Sequence, residues 1–145
     1  MVKRSSLFWL IAIAILALDQ VTKFFVLRSF SAGESVSLLP FLSFTYVQNT
    51  GAGFGILQNN NWLFIFIALI AIGVIFYYLK KVLTEQRMTV FVALILGGAV
   101  GNLLDRLLHG FVVDFIDFHF WPAFNVADSA LVIGVLGLIV WSRKK

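Results

Sequence analysis

Four long apolar runs divide the chain, at about residues 7–27, 62–79, 88–108 and 125–141. Each is close to the roughly 20 residues that a helix needs to cross a bilayer. The longest polar stretch, 28–61, follows the first run; a short basic loop, 80–87, separates the second from the third. An aromatic connector, 109–124, leads to the last run, with Pro122 shortly before it. Within 28–61, Ser29, Ser31, Gly33, Ser35 and Ser37 mark a loop, and residues 41–47 alternate well enough for a strand. Gly51, Gly53 and Gly55 then permit tight turns or close backbone approach. The pattern predicts an all-α integral membrane protein: four transmembrane helices with a small extracytoplasmic β element, in a single membrane domain over 1–145.

Composition strengthens this reading. The chain has 145 residues, of which 61% are hydrophobic and 12% charged, where a soluble domain carries about 25% charged residues. Lys3 and Arg4 before the first run could begin a cleaved signal peptide. That run continues through Asp19, Gln20 and Lys23 without a small-residue cleavage site, so a retained helix is expected. Cysteine is absent, which excludes disulfides, thiolate metal sites and a cysteine nucleophile. His109 and His119 stand ten residues apart, poor spacing for a metal, and no metal or other cofactor is expected.

Charge adds topology. Lys3, Arg4, Lys80, Lys81, Arg87, Arg143, Lys144 and Lys145 fall on one side of a four-span layout, leaving Lys23, Arg28 and Arg106. Every acid except Glu85 falls on the other side or near that end of a helix. The positive-inside rule puts both termini and the 80–87 loop in the cytoplasm, with 28–61 and 109–124 outside. The basic residues are then flanking anchors, and nucleic-acid binding has little support.

Residues 97–129 gather Asp105, Asp114, Asp117 and Asp128 in a chain that is mostly hydrocarbon. Polar groups are costly near a membrane interior, so carboxylates gathered there need a reason. Asp19 and Lys23 share a helix face at i,i+4 and can pair. Asn102, Asp105 and Arg106 share a face of the third helix, and Asn125, Asp128 and Ser129 repeat that spacing in the fourth run. Gly97 and Gly101 have the small-xxx-small spacing of closely packed membrane helices. Such groups serve equally as glue between helices, the reading favoured for Asp19 with Lys23 and for Asp105 with Arg106. Asp114 and Asp128 lack a cation close in sequence. If they face each other, they would share a proton and could activate water against a carbonyl. The same carboxylates would suit ion or proton transport, and a non-catalytic scaffold is a third possibility.

Five short segments carry a resemblance. Asp19-Gln20-Val21-Thr22-Lys23, Asn49-Thr50-Gly51-Ala52-Gly53-Phe54-Gly55 and Gly101-Asn102-Leu103-Leu104-Asp105-Arg106 are followed by Gly110-Phe111-Val112-Val113-Asp114-Phe115-Ile116 and Phe124-Asn125-Val126-Ala127-Asp128-Ser129. In this order, on this frame, they resemble the bacterial lipoprotein signal peptidases, or type II signal peptidases. The resemblance implies a cofactor-free membrane aspartyl endopeptidase of the bacterial cytoplasmic (inner) membrane. It would remove signal peptides from diacylglyceryl-modified prolipoproteins, cutting before the lipidated cysteine at the outer face. It puts the catalytic pair on Asp114 and Asp128. Asn49, Gly51, Asn102, Arg106 and Asn125 fall on positions that line the site, hold substrate or support the pair. Asp19, Lys23 and Asp105 become structural polar residues. The implied partners are lipid-modified prolipoproteins, membrane lipids and globomycin-type inhibitors, with no nucleic acid and a monomeric enzyme.

Overall fold

A computed structural model describes residues 3–52 and 56–143 of the chain. Its elements run α1 (Arg4–Ser29), β1 (Ser35–Leu39), β2 (Leu42–Asn49), α2 (Asn61–Val82), α3 (Gln86–His109), β3 (Val112–Asp117) and α4 (Val126–Ser142). Among the described residues α1, α2 and α3 are long and apolar enough to cross a membrane, while α4 is a shorter apolar helix of 17 residues. Each helix coincides with an expected run and extends slightly beyond it at most ends. Asn125, counted with the fourth run, caps α4 from outside instead.

The helices are arranged around α3, which packs against α1, α2 and α4. In α3, 61% of the apolar stretch is buried, against 6% in α2, so α3 is the central helix and α2 lies at the edge of the bundle. Small residues allow this crowding. A Cβ added at Gly97 would lie 2.7 Å from the Ala12 carbonyl oxygen of α1, and one at Gly98 would collide with the Ala127 carbonyl oxygen of α4. Two neighbouring glycines thus seat two different helices, by the close-approach packing that bilayers favour. Phe8, Ala12, Val82, Val92, Ala93 and Leu96 fill the core where α1, α2 and α3 meet, away from the sheet. Arg4 donates to the carbonyls of Leu83 and Thr84 and ties the start of α1 to the α2–α3 turn.

The expected strand is present as β2, and the sheet around it is larger than expected. Ser35 and Ser37, read as loop, lie in β1, which forms an antiparallel hairpin with β2. The connector after α3 is also not a plain loop, because β3 pairs antiparallel with β2 and makes the sheet order β1-β2-β3. Val112, Val113, Asp114 and Phe115 are all buried, so β3 lacks the alternation of a half-exposed strand. Gly110 makes the transition from α3 to β3 possible. It caps α3 with φ 81°, a left-handed conformation that glycine adopts without penalty, and its N–H donates to the Arg106 carbonyl. The turn expected at Gly53 and Gly55 lies outside the described residues.

Replacing Gly98 by Val should force α3 and α4 apart and cost about 1–3 kcal/mol, as overpacking does. Thermal unfolding in detergent should show a lower midpoint than wild type. An unchanged midpoint would mean that the two helices do not rely on this contact.

Candidate active site

The chemistry-bearing residues come from several elements and meet at one end of the bundle. On β3, Val113 and Phe115 pack with Val26 of α1 and Tyr46 of β2. In the β2–β3 register Asn49 lies across from Val112, on the diagonal to Asp114. Asn49 Nδ2 accordingly donates to Asp114 Oδ2 at 2.8 Å. Asn49 Oδ1 accepts from the Gly51 N–H at 3.0 Å, bending the chain sharply after β2. A Cβ on Gly51 would lie 2.6 Å from the Ile56 carbonyl oxygen, which explains a glycine there.

Asp128 is fixed by the start of α4. Asn125 and Asp128 form a capping box: Asn125 Oδ1 accepts from the Asp128 N–H at 2.8 Å, and Asp128 Oδ2 accepts from the Asn125 N–H at 3.3 Å. Asn125 is fully buried and stands behind both aspartates rather than on a cavity wall. Its Nδ2 donates to Asp114 Oδ1 at 2.7 Å and to Asn102 Oδ1 at 3.2 Å. Asn102 Nδ2 in turn donates to Asp128 Oδ1 at 2.7 Å. Every carboxylate oxygen of Asp114 and Asp128 therefore accepts an N–H, and two amide side chains join the carboxylates to each other.

Burial raises the Asp114 carboxyl to about 7, the charge of Asp128 adds to the rise, and Asn49, Lys23 and Asn125 oppose it. A proton on Asp114 is thus held near neutral pH.

A second polar cluster adjoins the pair. Lys23 Nζ pairs with Asp19 Oδ2 at 2.8 Å and with Asp105 Oδ2 at 2.9 Å, all three groups being buried. The expected pairing of Asp19 with Lys23 is present. The expected pairing of Asp105 with Arg106 is not, because adjacent helical residues point in different directions. Arg106 instead donates to the Gly51 carbonyl at 3.1 Å and stacks over the Phe64 ring of α2, 5.0 Å from its centroid. Among the described residues its buried Nε has no hydrogen-bond partner, nor has Asn61 Oδ1. Gly101 admits the ionic cluster, since a Cβ there would lie 2.5 Å from Asp19 Oδ2.

Asn49, Gly51, Asn102, Arg106, Asp114 and Asp128 all border one cavity of about 420 Å³. Its remaining wall escaped sequence reasoning. Phe64, Ala68 and Ala71 of α2 line one part, and Trp121 and Phe124 of the connector another. Apolar residues inside an apolar run carry no mark that sets them apart. His119 bonds Ser43 at 2.8 Å through Nε2, away from the cavity. Among the described residues no group of three or more His, Cys, Asp or Glu side chains could hold a metal ion.

Residues 11–144 match the family described as Signal peptidase (SPase) II. The chain belongs to the signal peptidase II family. It is 46% identical over 141 residues to the lipoprotein signal peptidase of Alteromonas mediterranea, covering 91% of this chain and 77% of that protein. With the lipoprotein signal peptidase of Halothermothrix orenii it shares 40% identity over 140 residues, 94% of this chain and 97% of the other. Its fold superposes with a TM-score of 0.90 and 37% identity on a bacterial membrane enzyme solved by the in meso method at 2.3 Å, covering 96% of this chain and 88% of that one. A signal peptidase II is a membrane enzyme, and the outward apolar faces of α1 and α2 agree with that setting.

Truncating Asn125 to Ala should lower stability by about 1–2 kcal/mol through the lost cap alone. Asn125→Ser, which keeps a capping oxygen, should recover part of that loss. Parallel thermal melts of the two variants would test this, and equal melts would mean that the cap contributes little.

Proposed function

We propose that this chain is a membrane aspartyl endopeptidase that removes signal peptides from diacylglyceryl-modified prolipoproteins, cutting before the lipidated cysteine. The observation that supports it best is the pairing of Asp114 and Asp128 through two shared amide side chains at the edge of a cavity with an apolar wall. Peptide-bond hydrolysis by two carboxylates needs one ionised and one protonated. The ionised member takes a proton from water as it attacks the scissile carbonyl, while the protonated member donates to the carbonyl oxygen. A proton is then delivered to the leaving amine as the C–N bond breaks. Burial and mutual repulsion at Asp114 keep the needed proton available near neutrality.

Arg106 and Asn49 suit substrate holding. Arg106 borders the cavity with an Nε donor that has no partner among the described residues, and Asn49 brings its amide to the Asp114 carboxylate. The wall of Phe64, Ala68 and Ala71 offers an apolar surface beside the polar site, as a substrate that is itself a membrane segment requires. On this reading the four helices cross the bacterial cytoplasmic membrane within a single domain of 1–145. The basic flanks put both termini in the cytoplasm and the site toward the outer face. Globomycin-type inhibitors would occupy the region of the pair, surrounding lipids would cover the helices, and a monomer would suffice, since the cavity is built from one chain.

Asp114→Asn and Asp128→Asn should each leave a folded, membrane-inserted protein and abolish cleavage of a diacylglyceryl-modified prolipoprotein in a gel-shift assay. Near-wild-type cleavage by either variant would end the two-aspartate assignment. Flux of ions across sealed vesicles without proteolysis would favour the transport reading instead. The pH dependence has a definite sign. Above the Asp114 value of about 7 the pair loses its shared proton, so kcat should fall as pH rises through that point. Rates that stay level through alkaline pH would contradict a shared proton.

A further inference from the structure

Lys23 lies on α1, is 2% exposed and does not border the cavity. Its two carboxylate partners have a second role. Asp19 Oδ1 accepts from the Ala127 N–H at 2.9 Å, the residue immediately before Asp128. Asp105 Oδ2 accepts from the Val113 N–H at 3.0 Å, the residue immediately before Asp114. The two acids thus grip the two backbone arms that carry the aspartate pair, and the Lys23 ammonium ties the grips together. Its third hydrogen bond goes to Asn102 Oδ1 at 2.9 Å. With that oxygen held by a cation, the Asn102 amide can present only its NH₂ to Asp128. Gln20 completes the enclosure by donating to Asp19 Oδ2 and Asp105 Oδ1.

We propose that Lys23 is the positioning residue of the aspartate pair, setting the separation and orientation of Asp114 and Asp128 through Asp19, Asp105 and Asn102. This rests on the two-aspartate reading above. A simple brace between helices would need only one of these contacts. Here a single ammonium binds both acids that hold the arms, and the amide between them. The charges around the pair are Asp19 and Lys23 from α1, Asp105 and Arg106 from α3, Asp114 from β3 and Asp128 from α4. From α2 and β2 the cavity receives Phe64, Ala68 and Asn49, none of them charged. Lys23 therefore also supplies positive charge that favours the ionised form of Asp114.

The test is Lys23→Gln, purified in detergent and assayed with a diacylglyceryl-modified prolipoprotein. In the folded fraction kcat should drop about 10- to 100-fold, the range expected when reacting groups are displaced by an ångström or less, with KM within about twofold. The alkaline limb of the kcat profile should move to higher pH, because loss of the cation makes the shared proton harder to remove. A folded variant with wild-type kcat and an unmoved limb would overturn the proposal and leave Lys23 a structural residue. Should Lys23→Gln not fold, the same readouts apply to Lys23→Gln/Asp105→Asn, which removes one charge of each sign and keeps an acceptor for Val113. Failure of that double variant to fold would also overturn it, by making stability the whole of the Lys23 role. Asp114→Asn and Asp128→Asn are assayed alongside. Cleavage by either of them overturns the two-aspartate reading itself, whereas an unchanged Lys23 variant beside two dead aspartate variants overturns only the positioning role.

Discussion

Placing carboxylates among apolar helices is the constraint that shapes this molecule. Asp19, Asp105 and Asp114 are each at most 2% exposed. A buried ion survives only if it is paired and its remaining lone pairs are met. Lys23 answers the first need for Asp19 and Asp105, and backbone amides of β3 and α4 answer the second. The glycines of α3 follow from the same demand, since Gly101 leaves room for the Asp19 carboxylate that any side chain would displace. Asp19 and Asp105 share the one fixed cation, and Asp114 and Asp128 are held by amides instead.

Two kinds of order meet at the site. One cluster is ionic, is closed off from the cavity and draws its partners from α1 and α3. The other is built of amides, with Asn49, Asn102 and Asn125 each donating to a carboxylate. Amides suit that position because they orient a carboxylate without committing it to one charge state, as a salt bridge would. A lysine in direct contact with Asp114 would favour its ionised form and remove the proton that hydrolysis requires.

The helical frame was legible in the sequence because an apolar run of bilayer length is too long for an ordinary core helix and has to be covered by lipid. The acids and asparagines of the site were legible too, being conspicuous against hydrocarbon. What escaped was long-range. The partner of Asp105 is Lys23 on another helix, while its sequence neighbour Arg106 points elsewhere, to Gly51 and Phe64. The strand β3 escaped because burial on both faces erases the alternation by which a strand is recognised. Ser35 and Ser37 look like loop residues because their strand, β1, is exposed along its whole length and tolerates polar side chains.

The capping box at the head of α4 has one more consequence. Asp128 holds the first turn of its helix through the Asn125 N–H, and does so best when ionised. On the two-aspartate reading that carboxylate gains and loses a proton in every turnover. The stiffness of the helix entrance then rises and falls with the chemistry, and the Asn125 amide proton becomes a resident gauge of it, readable by its exchange with deuterium while the enzyme works.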